Sequence, residues 1–406
     1  MNILVYYPHT KKEHAGGLET YLHEYTQRLM RMGHEVHLVC FTTKDKSYDT
    51  TEVGIFFHYV SDPSTFPVYK HFAKLYKLRR FLSEFLKQHD FDVANVHGSG
   101  GLDLLYPKTF SNRIPLIYFF HASHPLELRF DYVKKKALEH NMLKRAMLLL
   151  RYLFNAMRFR YSERRALRLA RTIIADSPFD RHQIRTIYGS DIDRKTSVIP
   201  IGVDTEMFHP PEDKNHVRRT LGLPGDRTLL LCVRRLAPRM GLLNLLEAVE
   251  IVLERHHRGD FILLIGGRGE LEGRLRTVVT DRNLTNNVRL LGFVEQTELV
   301  KLYQAADVFI LPSEDLEGFG IVTLEALASG LPVIGTPAGA TPDILKPLDP
   351  DLLTADVTPE AIAEKVVFFL ENKERLSTPD RYRDYVKKKY NWDHSVKQIE
   401  QVLLKA

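Results

Sequence analysis

Between Ala306 and Pro332 the chain passes from an apolar run into a glycine loop and then into a helical pattern, with a glutamate on either side of the second change. Ala306 to Pro312 is a short hydrophobic stretch closed by proline, which predicts a strand buried on both faces of a parallel sheet. Glu317 follows in the loop, directly before Gly318-Phe319-Gly320. Ile321 to Ser329 has helical spacing and stops at Gly330-Leu331-Pro332. Glu325, eight positions after Glu317, therefore lies within that helix. In open α/β sheets ligands bind at the carboxyl edge of the strands, which is where this loop falls. The segment commits its surroundings to an α/β layer with parallel strands.

The same alternation recurs along the whole chain. Strand candidates lie at 2–7, 34–41, 54–60, 91–98, 115–122 and 171–177, then at 227–234, 261–266, 288–293, 307–312 and 331–336. Helical stretches such as Leu18–Met32 and Leu242–Glu254 separate them. Strand, crossover helix and strand in repetition predict parallel sheets covered on both faces, and two such series predict two doubly wound domains. The boundary is expected near Pro200-Ile201-Gly202, ahead of a proline- and charge-rich stretch from Phe208 to Lys214. This assigns 1–200 to the first domain and 201–385 to the second. A closing amphipathic helix within 386–406 carries Val396, Ile399, Val402 and Leu403.

Composition narrows the class. At 406 residues there is enough chain for two or three cores. Two cysteines, Cys40 and Cys232, both in apolar runs, exclude a disulfide scaffold and favour a cytoplasmic setting. No run of about 18 apolar residues occurs, so no membrane span is expected. The opening residues Met1 to Pro8 read as a first strand rather than a signal peptide. A net charge of +6 is a modest excess, and no nucleic-acid-binding motif accompanies it.

Two carboxylates at one crevice suit glycosidase acid/base work, or the binding of sugar hydroxyls. The glycine loop at a helix N-terminus favours the second, with backbone amides holding an anionic or polyhydroxyl ligand. Gly16-Gly17, opening the helix that bears Glu19, reads by itself as a plain turn, or as small residues that let backbone N–H groups approach a phosphate. Asp-x-Asp triplets at 90–92, 191–193 and 349–351 are read as turns and solvated loops rather than metal sites. No metal site and no cofactor are expected.

The run 317–325 resembles the E-x7-E signature of retaining glycosyltransferases of the GT-B fold, glycosyltransferase family 4. Gly16-Gly17-Leu18-Glu19, Val198 to Asp204, Arg235-Leu236 and Gly266-Gly267-Arg268-Gly269 agree in order and spacing across nearly the whole chain. The resemblance implies two Rossmann-like domains facing a central cleft, with the last helix packing back on the first. It implies that Glu317 meets donor-sugar hydroxyls beside the amides of Gly318, Phe319 and Gly320, and that Glu325 holds the nucleotide ribose. Arg235 would bind the diphosphate, for which a bidentate guanidinium is suited. Gly16 and Gly17 would approach it, and His121, ending the run 116–121, would face the sugar. His97 is a weaker second candidate. Where the family carries a lysine before glycine, this chain has Met240, which leaves Arg239 or Arg234 to meet the phosphate.

The implied activity is metal-independent, retaining transfer from a nucleotide-diphosphate sugar, with UDP-sugar favoured, to a glycan or lipid-linked saccharide. The alternatives are a sugar-nucleotide-binding protein without turnover, or a GT-B disaccharide synthase or phosphorylase. From Lys134 to Arg171 the chain is strongly basic, with Leu, Met, Phe and Tyr interleaved. Lys144, Arg151, Arg158 and Arg165 recur every seven residues, while Leu143, Met147, Leu150, Phe154, Met157 and Tyr161 form another face. The stretch reads either as a core-covering helix with a solvated face, or as a surface for an anionic membrane or phosphate-bearing acceptor.

Overall fold

A computed structural model describes residues 1–10, 17–42, 46–61, 67–98, 114–138, 141–255, 257 and 259–406. The chain divides into two compact units, one of Met1–Pro200 with Trp392–Ala406 and the other of Ile201–Asn391.

Among the described residues unit 1 holds eight strands: β1 (Asn2–Thr10), β2 (Glu35–Thr42), β3 (Tyr48–Glu52), β4 (Ile55–Ser61), β5 (Val93–His97), β6 (Leu116–Phe120), β7 (Thr172–Ala175) and β8 (Thr196–Val198). Their order is β3-β4-β2-β1-β5-β6-β7-β8, parallel except for the β3–β4 hairpin. That hairpin turns through Val53 and Gly54, both at positive φ, the backbone a tight primed turn requires. Neither β3 nor β8 is visible as an apolar run. Tyr-Asp-Thr-Thr-Glu is a polar edge strand, and β8 is only three residues long. The core behind the sheet includes Tyr6, Phe41, Leu78, Val96, Tyr118 and Leu167.

The helix Trp392–Leu404 belongs to this unit. Trp392 is buried with its ring 5.3 Å from that of Tyr21, and Asp393 and Glu400 pair with Arg28 and His34 at 2.7 and 2.8 Å. The chain leaves unit 2 after Asn391, a little beyond the expected 385, because the helix Pro379–Lys389 is tied into unit 2. There Arg383 donates to the carbonyls of Thr205, Phe208 and Ala328 at 2.8–3.0 Å.

Unit 2 holds β9 (Thr228–Val233), β10 (Phe261–Gly266), β11 (Val288–Gly292), β12 (Val308–Leu311) and β13 (Val333–Gly335), all parallel in the order β11-β10-β9-β12-β13. Every residue of β9, β10, β12 and β13 is buried, as a sheet with helices on both faces demands. The connections run outward from β9 in one direction and return to its other side at β12. The strand order therefore reverses between β9 and β12, and a crevice opens beyond their carboxyl ends.

Candidate active site

The loops that leave β9 and β12 meet at this reversal. Gly241 ends the first loop at φ 69°, and a Cβ there would stand 1.6 Å from the carbonyl oxygen of Pro312, at the end of β12. Only glycine lets the two loops approach this closely. Glu317 is pinned from the far side, where Gly339 stacks on its backbone and Ala340 N–H donates to its carbonyl at 2.8 Å.

The Glu317 carboxylate is enclosed and paired. Arg234 Nη2 donates to Oε2 at 2.7 Å and Ser313 Oγ donates to the same oxygen at 2.5 Å. Both contacts fall on Oε2, and Oε1 has no partner among the described residues. Burial alone would raise this carboxyl, but the Arg234 guanidinium and the Ser313 hydroxyl outweigh it and hold it below the ordinary range. Glu317 is thus an ionised acceptor with one oxygen available.

Arg234 also donates from Nη1 to Ser313 Oγ at 2.8 Å and from Nη2 to Met240 Sδ at 2.7 Å. Its Nε is buried without a partner among the described residues. Arg235, the expected diphosphate arginine, is exposed, and its guanidinium makes no ion pair or hydrogen bond among the described residues. Both arginines follow Val233, the last residue of β9; Arg234 turns onto Glu317 while Arg235 stays in solvent. Arg239 is half-buried and donates to the Leu316 carbonyl at 3.0 Å, which ties the two loops together.

Gly320, at φ 78°, starts the helix Ile321–Ala328, whose N-terminus no side chain caps. Such an end presents backbone N–H groups to an anion or hydroxyl. Phe319 is buried with its ring against Tyr390, centroids 5.8 Å apart, and so anchors the loop between Gly318 and Gly320. Glu325 is buried in the same helix, where Tyr303 Oη donates to its Oε2 at 3.0 Å. Burial pushes its carboxyl up to about 7, against the smaller opposing pull of the tyrosine. The two glutamates of one motif therefore differ in charge state near neutrality because only Glu317 has a cation beside it. Ser313 and Tyr303, which complete these arrangements, were not singled out in the sequence. Ser313 is the second residue after β12, whereas Tyr303 sits on a different helix and left no local signal.

In unit 1, His97, His121 and Asp176 stand at the carboxyl ends of β5, β6 and β7. His121 Nδ1 is 2.6 Å from Asp176 Oδ2, and its Nε2 is 2.9 Å from His97 Nδ1. One proton lies between His121 Nε2 and His97 Nδ1, and the Asp176 carboxylate accepts from the His121 ring on its other nitrogen. Burial holds His97 well below its ordinary value. Both nitrogens of His121 are thereby engaged inside the unit. Asp176 was missed because it is 55 residues away in sequence and joins the histidine only through strand order. Gly17 is the first residue of the helix Gly17–Arg31 and is exposed, while Gly16 lies outside the described residues.

Each Asp-x-Asp triplet has an aspartate engaged within the fold, and 191–193 lies in the helix Ser190–Asp193 rather than in a loop. Asp92 accepts from the Asn2 amide at 2.7 Å, Asp193 pairs with Arg181 at 2.7 Å, and Asp349 pairs with Arg381 at 3.1 Å.

Comparison with known proteins bears on this site directly. Residues 15–207 match the family model described as Glycosyltransferase Family 4, and residues 213–392 match that of Glycosyl transferases group 1. The chain belongs to glycosyltransferase family 4. A GDP-mannose-dependent monoacylated alpha-(1-6)-phosphatidylinositol monomannoside mannosyltransferase of Corynebacterium glutamicum is 32% identical over 50% of this family 4 chain and 55% of its own length. The GDP-mannose-dependent alpha-(1-6)-phosphatidylinositol monomannoside mannosyltransferase of Mycobacterium tuberculosis is 32% identical over 48% of this chain and 52% of its own. The match thus spans about half the length of these curated relatives.

Among solved structures, sucrose-phosphate synthase from Thermosynechococcus elongatus superposes with a TM-score of 0.79 at 20% identity, covering 100% of this chain and 98% of the other. Anabaena HepE in complex with UDP-glucose gives 0.73 at 19%, with both chains covered completely. The fold of this family 4 chain is that of the GT-B glycosyltransferases, two Rossmann-like α/β units.

Proposed function

We propose that the protein transfers a sugar from a nucleotide-diphosphate sugar to a glycan or lipid-linked saccharide, with retention of anomeric configuration and without a metal ion. The observation that carries the reading is Glu317. It is a buried carboxylate kept ionised by Arg234 and Ser313, with one free oxygen beside an uncapped helix N-terminus. A sugar hydroxyl donates to such an oxygen, and the backbone N–H groups after Gly320 donate to the negative end of the same ligand. Glu325 lies farther along the same helix, where its carboxyl can meet a second polyol, the ribose. The departing diphosphate would gain charge during transfer, and fixed cationic donors supply the main electrostatic assistance to such a step. Arg239, held between the two loops, and the exposed Arg235 are the guanidiniums this unit offers for that purpose.

UDP-sugar is the donor we favour, and HepE, a structural neighbour, was solved with UDP-glucose. A second reading, GDP-mannose, is favoured by the names of the two mannosyltransferases matched at 32%. Peripheral membrane contact through 134–171 belongs to the same proposal, since a lipid-linked acceptor is reached at a bilayer surface.

The test is nucleoside diphosphate release by the purified protein from UDP-, GDP- and ADP-sugars, with and without EDTA. Slow release from one donor, unchanged by EDTA, is expected. Glu317→Ala should lower it by about one to two decades, the equivalent of a charged hydrogen bond of roughly 1.5–3 kcal/mol. Full-rate turnover in that variant, with folding retained, would overturn the assignment. Donor binding without release under any acceptor supplied would favour a binding protein without turnover.

A further inference from the structure

We infer that the helix Met142–Leu169 lies along the surface of an anionic lipid bilayer, with its apolar stripe inserted among the acyl chains. Leu143, Met147, Leu150, Phe154, Met157 and Tyr161 follow one another at spacings of three and four, and each is 59–72% exposed. That spacing places all six on one face of about five helical turns, a length of about 27 Å. Scattered exposed apolar residues need no explanation, but a continuous stripe of this size marks an interaction surface. Elsewhere in the described residues, exposed large apolar side chains occur singly or nearly so.

The charges beside the stripe identify the occupant. The helix carries eight lysines and arginines and one acid, Glu163, which is buried and accepts from the Tyr188 hydroxyl. Exposed Lys144 and Arg151 flank the stripe on one side, and exposed Arg160 and Arg164 on the other. A second copy of this chain would bring the same positive face to the contact and repel it. An anionic bilayer supplies both an apolar layer for the stripe and negative headgroups for its rims. The helix lies on the bilayer rather than through it, since no helix of the described residues is long and apolar enough to cross a membrane. The last turns hold it to the protein, because Ser162, Glu163, Ala166 and Leu167 are buried in unit 1. Tyr132, from the helix His124–Leu138, also stacks on Tyr152 at 4.5 Å, bracing the exposed turns.

This inference names the surface and the lipid chemistry for the membrane contact proposed above, and it stands or falls separately from the transfer reaction. The experiment is co-sedimentation of the full chain with vesicles of phosphatidylcholine alone or mixed equally with phosphatidylglycerol, at low and high salt. Binding to the anionic vesicles, weakened at least tenfold by high salt or by neutral lipid, is expected. The triple substitution Leu150→Glu, Phe154→Glu and Met157→Glu should lower it at least tenfold while leaving helical circular dichroism unchanged. Absence of binding to anionic vesicles at low salt would overturn the inference, as would undiminished binding by the triple variant. A dimer in solution that the triple substitution splits, without vesicle binding by the parent, would assign the face to a second copy instead. Donor hydrolysis in the absence of vesicles reports on the transfer reading alone, so failure of one proposal is separable from failure of the other.

Discussion

At the scale of single residues, the site turns on two glutamates whose environments differ. Glu325 is raised to about 7 by burial, so the folded protein binds its proton more tightly than the unfolded chain does. The sign follows: stability is complete below the unfolded value near 4.5 and is lost as pH rises through about 7. The shift corresponds to about 3 kcal/mol. Urea unfolding at pH 5 and pH 8 should show unit 2 losing stability of that order, and Glu325→Gln should abolish most of the difference. Glu317 depends on Arg234 in the opposite sense. Replacing Arg234 by methionine leaves the carboxylate buried without its cation, so its proton is held to higher pH. Donor turnover by Arg234→Met should fall by about one to two decades, more steeply at pH 6 than at pH 8. Arg234→Lys should restore part of the loss at the lower pH. A uniform loss at all pH values would show that Arg234 acts by some route other than the charge of Glu317.

At the scale of elements, the glycine at the end of the β9 loop decides how closely two strand ends can approach. Gly241 combines a positive φ with a Cβ direction blocked by the Pro312 carbonyl, and backbone cannot yield as a flexible side chain does. Gly241→Ala should separate the loops, weaken the Arg239 to Leu316 contact and cost roughly 2–4 kcal/mol, measured by chemical unfolding. Gly222, also at positive φ but with open space around the Cβ direction, is the control, and its alanine variant should cost about 1 kcal/mol. The strand–loop–helix at 306–332 was legible because its composition changes sharply at each boundary. β3 was not, because an edge strand needs no apolar face and its five residues carry none of the expected alternation.

On the scale of the whole molecule, unit 2 is tied at the edge opposite the site by a buried ion cluster. Asp307, just before β12, accepts from Arg218 at 2.6 Å and Lys214 at 2.9 Å, and from the Leu229 amide at 2.9 Å. Burial opposes its ionisation, but these partners prevail and hold it at about 2. Its contribution is therefore present above the ordinary carboxylate value and lost as pH falls through about 2. Asp307→Asn leaves Arg218 buried without its counter-charge and should cost about 3–5 kcal/mol, seen in calorimetry as a lower transition for unit 2. An unchanged transition would mean that Lys214 and Arg218 find other partners.

The sequence by itself determined the α/β class, the two series of strands, the crossing near residue 200 and the glutamate motif. Each of these is written in residues close along the chain, where period and punctuation act locally. The tertiary structure alone decided which of two adjacent arginines meets Glu317, since that depends on how the loop after β9 turns each side chain. It alone joined His121 to Asp176 and His97, because strand order brings distant segments to one sheet edge. It also decided the character of the basic middle. The periodicity of 142–161 was readable, but amphipathic sequences are written alike whether their apolar face meets a core or a solvent boundary. Only the packing of the rest of unit 1 shows that nothing in the described chain covers that stripe.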